Sequence, residues 1–113
     1  MTNAFVWFHN GSEKPPETVQ FYEKLFGWKG SEGPGGMSML SGREGPFAGV
    51  APKDDVRQGW VPYLQVDDVD RATERATKFG ATVVQQRTSG PAGDFTVIRD
   101  PGGAAVALWQ KAV

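Results

Sequence analysis

From Val69 onward the apolar residues Val69, Ala72, Ala76 and Phe79 recur at steps of three and four, with Arg71, Glu74, Arg75 and Lys78 between them. That pattern predicts a helix with one buried stripe. Asp67 or Asp68 can cap its start, Asp70 suits the positive end of its dipole, and Gly80 is placed to end it in a left-handed turn. A second stripe runs from Glu17 to Phe26, where Val19, Tyr22 and Phe26 share a face widened by Phe21 and Leu25, and Gly27 follows. Pro15 and Pro16 fit its first turn, but no good capping side chain precedes them.

The two stripes repeat. An offset of 53 carries Gly27 to Gly80, Phe26 to Phe79 and Val19 to Ala72. Each is preceded by a strand-like run, from Ala4 to His9 and from Val61 to Val66, and followed by three more. After the first come Trp28 to Gly30, Met37 to Leu40 and Phe47 to Ala51. After the second come Ala81 to Gln86, Asp94 to Arg99 and Ala104 to Trp109. Turns rich in glycine and proline separate them, among them Glu32-Gly33-Pro34-Gly35-Gly36 and Asp100-Pro101-Gly102-Gly103. The chain therefore reads strand-helix-strand-strand-strand twice, with residues 4–52 as module one, 53–59 as linker and 60–110 as module two. The expectation is one α+β domain over 1–113.

Alternation along the strands separates two faces. Val6, Phe8, Leu64, Val66, Ala104, Val106 and Leu108 are apolar throughout and are assigned to the helix-covered face. The opposite face mixes Phe5, Trp7 and His9 with Val61, Tyr63 and Gln65 and with Ala105, Ala107 and Trp109. Large aromatics beside a few polar groups, with no third helix to cover them, predict a ligand cup or a subunit interface.

Composition narrows the function classes. A net charge of −1 over 113 residues gives no basic field for nucleic acid. The absence of cysteine removes thiolate nucleophiles and sulfur-ligated metals, and suits a reducing cytoplasm. No apolar run approaches the ~20 residues of a membrane span, and no signal peptide is evident, so a cytoplasmic address without membrane contact is expected.

Two motifs carry a resemblance. Phe21-Tyr22-Glu23-Lys24-Leu25-Phe26-Gly27-Trp28 in the first half, and Tyr63-Leu64-Gln65-Val66-Asp67-Asp68-Val69-Asp70 with Phe95 to Trp109 in the second, make the chain similar to the glyoxalase/bleomycin-resistance/dioxygenase superfamily, also called vicinal oxygen chelate proteins. The resemblance implies tandem βαβββ modules forming an incompletely closed mixed sheet with two helices on its outer face, commonly in a homodimer. It also implies a divalent metal, held by His, Gln or Glu near the starts of the first strands and by Glu on the last strand of each module. Carried over, those positions fall on Trp7, on or beside Val61, on Gly49 or Ala51, and on Ala107. His9 lies two residues past Trp7 on the same face, so at most one of the four positions could serve, and apolar side chains offer no lone pair at the rest; neither metal nor other cofactor is expected.

His9, the only histidine, is the side chain whose ordinary pKa suits proton transfer; with no carboxylate partner nearby in sequence, the plainer reading is that it caps the strand end and hydrogen-bonds in the loop before Pro15. Trp7, Tyr63 and Trp109 can form an aromatic wall for a planar ligand or pack in a dimer interface. The Tyr63 hydroxyl and Gln65 amide can orient a ligand or stand solvated at a rim. Asp67, Asp68 and Asp70 are explained by capping, and residues 53–57 by a solvated linker. Met37 and Met39 fill core or line a cavity.

These readings converge on a homodimer that binds an apolar or aromatic small molecule through Phe5, Trp7, Tyr63, Gln65, Ala107 and Trp109, in the sequestration or resistance manner the resemblance implies. The alternatives are a metal-independent isomerase, lyase or cyclase moving a proton with catalytic His9 or Tyr63, a metal-dependent glyoxalase or dioxygenase, and a pure interaction module.

Overall fold

A computed structural model describes residues 4–112. They form two compact units, one of residues 7–61 and one of 62–112 together with 4–6.

The first unit is built from β1 (Phe5–Ser12), α1 (Pro15–Phe26), β2 (Lys29–Glu32), β3 (Ser38–Gly42) and β4 (Gly45–Pro52). Its strands lie in the order β2-β3-β4-β1, with β1 parallel to β4 and the other pairs antiparallel. Helix α1 starts on two prolines after Lys14, with no side-chain cap, and stops at Gly27, whose φ of 73° places it in the left-handed region. Part of the predicted stripe does the packing: Val19 and Tyr22 lie with Trp28 and Phe47 on the buried Leu40, Ala48 and Val50, whereas Phe21, Leu25 and Phe26 are more than half exposed. Tyr22 is the hub of an aromatic cluster. Its ring stacks on Trp28 at 5.3 Å and meets Trp60 edge-on at 5.5 Å, and its hydroxyl accepts from the Trp60 indole N–H at 3.1 Å.

The second unit repeats the plan with β5 (Gly59–Gln65), α2 (Val69–Lys78), β6 (Thr82–Gly90), β7 (Gly93–Arg99) and β8 (Ala105–Lys111), in the order β5-β8-β7-β6. β5 runs parallel to β8, and the remaining pairs are antiparallel. Asp68, rather than Asp67, caps α2 by accepting from the Arg71 N–H at 3.1 Å. Val69, Ala72 and Ala76 seat the helix on Ile98 and Leu108 with Leu64, Val66, Val83 and Val106, whereas Phe79, expected on the same buried stripe, is exposed. Two alanines on the stripe let the helix backbone approach the sheet closely. Arg87 joins three elements of this unit, bonding Asp70 of α2 and Asp94 of β7 at 2.7 Å each.

Other expectations are corrected as well. Val6 and Phe8, assigned to the helix-covered face, are 42% and 36% exposed, because α1 lies over β2, β3 and β4. Ala104 is exposed in the turn before β8 rather than packed on the helix side. β1 continues past His9 to Ser12, carried by parallel pairing with β4 as far as Pro52.

Candidate functional site

Alternation along β1 puts Trp7 and His9 on one side of the strand, and pairing sets His9 beside Gly49 of β4, which is itself opposite Met39 of β3. A Cβ at Gly49 would lie 3.0 Å from the Met37 sulfur and 3.2 Å from the Trp7 ring, so indole and thioether pack down onto the glycine backbone. The result is a sulfur-rich and aromatic surface of half-buried Trp7, Met37 and Met39.

His9 closes one end of this surface and is only 6% exposed. The segment after β4, read from sequence as a solvated linker, turns back against it. Asp54 folds the segment into a tight turn: its carboxylate accepts from the backbone N–H groups of Val56 at 3.0 Å and Arg57 at 2.6 Å, and from the Arg57 guanidinium at 2.9 and 3.0 Å. The Arg57 backbone is pressed onto Gly11 of β1, and the Lys53 N–H bonds the Ser12 carbonyl at 2.9 Å. Burial works to raise the Asp54 pKa, but the hydrogen bonds from Arg57 and Val56 outweigh it and hold the carboxyl below its ordinary value.

Burial, reinforced by the Arg57 charge and opposed by Asp54, lowers the His9 pKa from 6.5 to about 4. The imidazole is therefore neutral near pH 7, able to donate one hydrogen bond and accept another. The sign of the linked stability follows. Unfolded chains take up a proton on this histidine below pH 6.5 and the folded protein does not until about 4, so stability falls as pH drops through that window. At about 1.4 kcal/mol per pH unit, up to about 3 kcal/mol is lost by pH 4. Urea unfolding at pH 7, 5.5 and 4.5 checks this: His9→Gln flattens the slope above pH 4.5, and equal slopes in both proteins refute it. Asp54, with its lowered pKa, loses its contribution only at still lower pH, below 3.8.

In the second unit the pairing sets Tyr63 beside Ala107 and Gln65 beside Trp109, with Val97 and Phe95 next across β7. Tyr63, Val97 and Ala107 are buried, and the Tyr63 and Phe95 rings lie 5.8 Å apart. Trp109 is half-buried and Gln65 exposed, whereas Phe5 is 51% exposed at the start of β1. Of the residues singled out from sequence, the structure thus joins Tyr63 to Ala107 and Gln65 to Trp109, and places Trp7 and His9 on one side of β1. It adds Arg57, Asp54 and Phe95, and sets Gly49, already singled out from sequence, beneath Trp7 and Met37. The Asp54-x-x-Arg57 spacing is a recognisable turn signal; nothing local marks the others.

A family model described as a glyoxalase-like domain matches residues 7–109. The chain belongs to this glyoxalase-like family. Among its relatives, CFP32 of Mycobacterium tuberculosis is 34% identical over 102 residues, covering 80% of this chain and 39% of that protein. The anthracycline biosynthesis protein DnrV of Streptomyces peucetius is 31% identical over 132 residues, covering 97% and 48%. The glyoxalase-like chain therefore spans less than half the length of these relatives. Its fold matches a glyoxalase/bleomycin-resistance/dioxygenase superfamily structure from Vibrio splendidus with a TM-score of 0.68 at 12% identity, over 98% of this chain and all of that one. The tandem α+β fold of the superfamily is thus present.

The metal that glyoxalase-like enzymes imply does not fit these residues. Gly49 is covered by Trp7 and Met37, and Val61 and Ala107 are buried without a donor atom. Among the described residues no three His, Cys, Asp or Glu side chains cluster as a metal site would require. No helix among them is long and apolar enough to cross a membrane.

Proposed function

We propose that this glyoxalase-like protein binds an apolar, planar aromatic small molecule without metal or other cofactor, as a sequestering or carrier protein. The observation that carries the reading is the indole of Trp7 lying with Met37 on Gly49, so that a stacking surface stands where ligands to a metal would be needed. Tyr63, Phe95 and Trp109 offer a second aromatic group, and Gln65 and Phe5 exposed contacts. The likeness to an anthracycline biosynthesis protein supports a fused-ring ligand.

Proton transfer by His9 or Tyr63 is the weaker reading. A base whose conjugate acid has a pKa of about 4 accepts a proton poorly at neutral pH, and Tyr63 is only 8% exposed. We also propose a cytoplasmic homodimer. The lack of cysteine supports the compartment, and the exposed Leu25 and Phe26 on α1 support association.

Titration with daunorubicin, an anthracycline, tests the binding. Saturable quenching is expected, weakened about tenfold or more by Trp7→Ala, since one aromatic anchor commonly supplies more than 1.4 kcal/mol. No saturable binding, or an affinity indifferent to Trp7, overturns the reading, as does a stoichiometric metal in the purified protein.

A further inference from the structure

The other side of β1 carries Asn10 and Ser12, which face the start of α1 across an open groove of about 540 Å³. Ser12 is committed: its hydroxyl lies 2.6 Å from that of Thr18 and accepts from the Lys14 N–H at 2.9 Å. Asn10 is only 8% exposed, yet its side-chain amide makes no hydrogen bond to any described residue. Its polar atoms are not sealed off either, so the amide opens onto the groove it lines. An amide can make up to four hydrogen bonds, and native proteins rarely leave such a buried group unmatched by protein, water or ligand.

Two further features say what would match it. Phe21, 54% exposed, forms a wall of the groove, held edge-on to Tyr22 at 5.0 Å. The charges at the rim are already paired, Glu13 with Lys53 at 2.9 Å and Lys14 with Glu17 at 3.8 Å, so the groove offers no net field to an ion. An Asn side chain pairs two-fold with a ring edge that sets a donor beside an acceptor, and an aromatic wall stacks on the ring itself.

We infer that this groove is a binding site for an uncharged planar heterocycle of nucleobase type, with Asn10 reading its donor-acceptor edge and Phe21 packing on its face. The site is separate from the surface of Trp7 and His9, which lies on the opposite side of the strand.

Adenosine is the probe, followed by amide NMR shifts of the whole protein. Saturable shifts are expected at the Asn10 side-chain amide and at Thr18 and Phe21. N6,N6-dimethyladenosine, which keeps the ring but lacks the donor, binds about tenfold more weakly to the unmodified protein. Phe21→Ala, on an exposed position, weakens adenosine by a similar factor, and Asn10→Leu abolishes the difference between the two nucleosides. No saturable shift up to about 10 mM adenosine, or equal affinity for both nucleosides, overturns the assignment and leaves water as the partner of Asn10.

Discussion

Ala107→Glu lowers the stability of the fold by about 3 kcal/mol or more at pH 7, and added Zn²⁺ or Mn²⁺ does not restore it. Ala107 has no exposed surface and sits in register with Tyr63 and Val97, both buried. A carboxylate there loses its water and gains no counter-charge, so it must either stay charged at high cost or bind a proton. The second course raises its pKa in the folded state. The destabilisation is therefore greatest above the ordinary glutamate pKa and shrinks toward pH 4, which separates a charge penalty from simple overcrowding. Metal does not relieve it, because the register partner Val97 contributes no lone pair and one carboxylate does not make a site. Urea unfolding of both proteins, repeated with each ion, reads the result. A melting temperature of the variant that climbs several degrees with metal would mean that a coordination sphere is latent in this chain, and would overturn the proposal that it works without metal.

Gly11→Ala costs about 3 kcal/mol, far more than the same change at Gly27. The two glycines differ in kind. Gly27 adopts a left-handed φ of 73° with nothing within 4 Å of an added Cβ, so alanine there meets only backbone strain of about 1 kcal/mol. At Gly11 an added methyl would be driven into the carbonyl oxygen of Arg57 and lie 2.8 Å from its carbon, and neither atom belongs to a flexible side chain. The turn tied by Asp54 and Arg57 has to move away from β1. Because burial and the Arg57 charge depress the His9 pKa, the variant also shifts that histidine back toward 6.5. Chemical denaturation gives the first quantity and an NMR titration of the single histidine gives the second. A Gly11→Ala protein with native stability and an unshifted His9 would show that the close approach constrains neither.

Much of the fold is legible in local pattern. The stripes at Val19, Tyr22 and Phe26 and at Val69, Ala72 and Ala76 mark both helices, since helical spacing needs only neighbours a few residues away. Glycine and proline mark the turns for the same reason. The site is less legible. Phe95 reaches Tyr63 only through the register of β7 on β8 and β8 on β5, and Asn10 looks like an ordinary polar strand residue until its surroundings are seen. Val6 and Phe8 show the limit of alternation: it says which side of a strand a residue faces, not whether a helix lies there.

By itself the sequence determined the two βαβββ modules, their helices and turns, and the lack of donor atoms at Trp7, Val61 and Ala107. Those depend on the periodicity of nearby residues or on the chemistry of single side chains. Only the tertiary structure decided that His9 is buried and neutral, that Asp54 and Arg57 fold against β1 at Gly11, that Trp7 rests on Gly49, and that Asn10 opens onto a groove. Each of these depends on segments far apart in the chain, and desolvation and Coulomb interactions act through space rather than along the backbone.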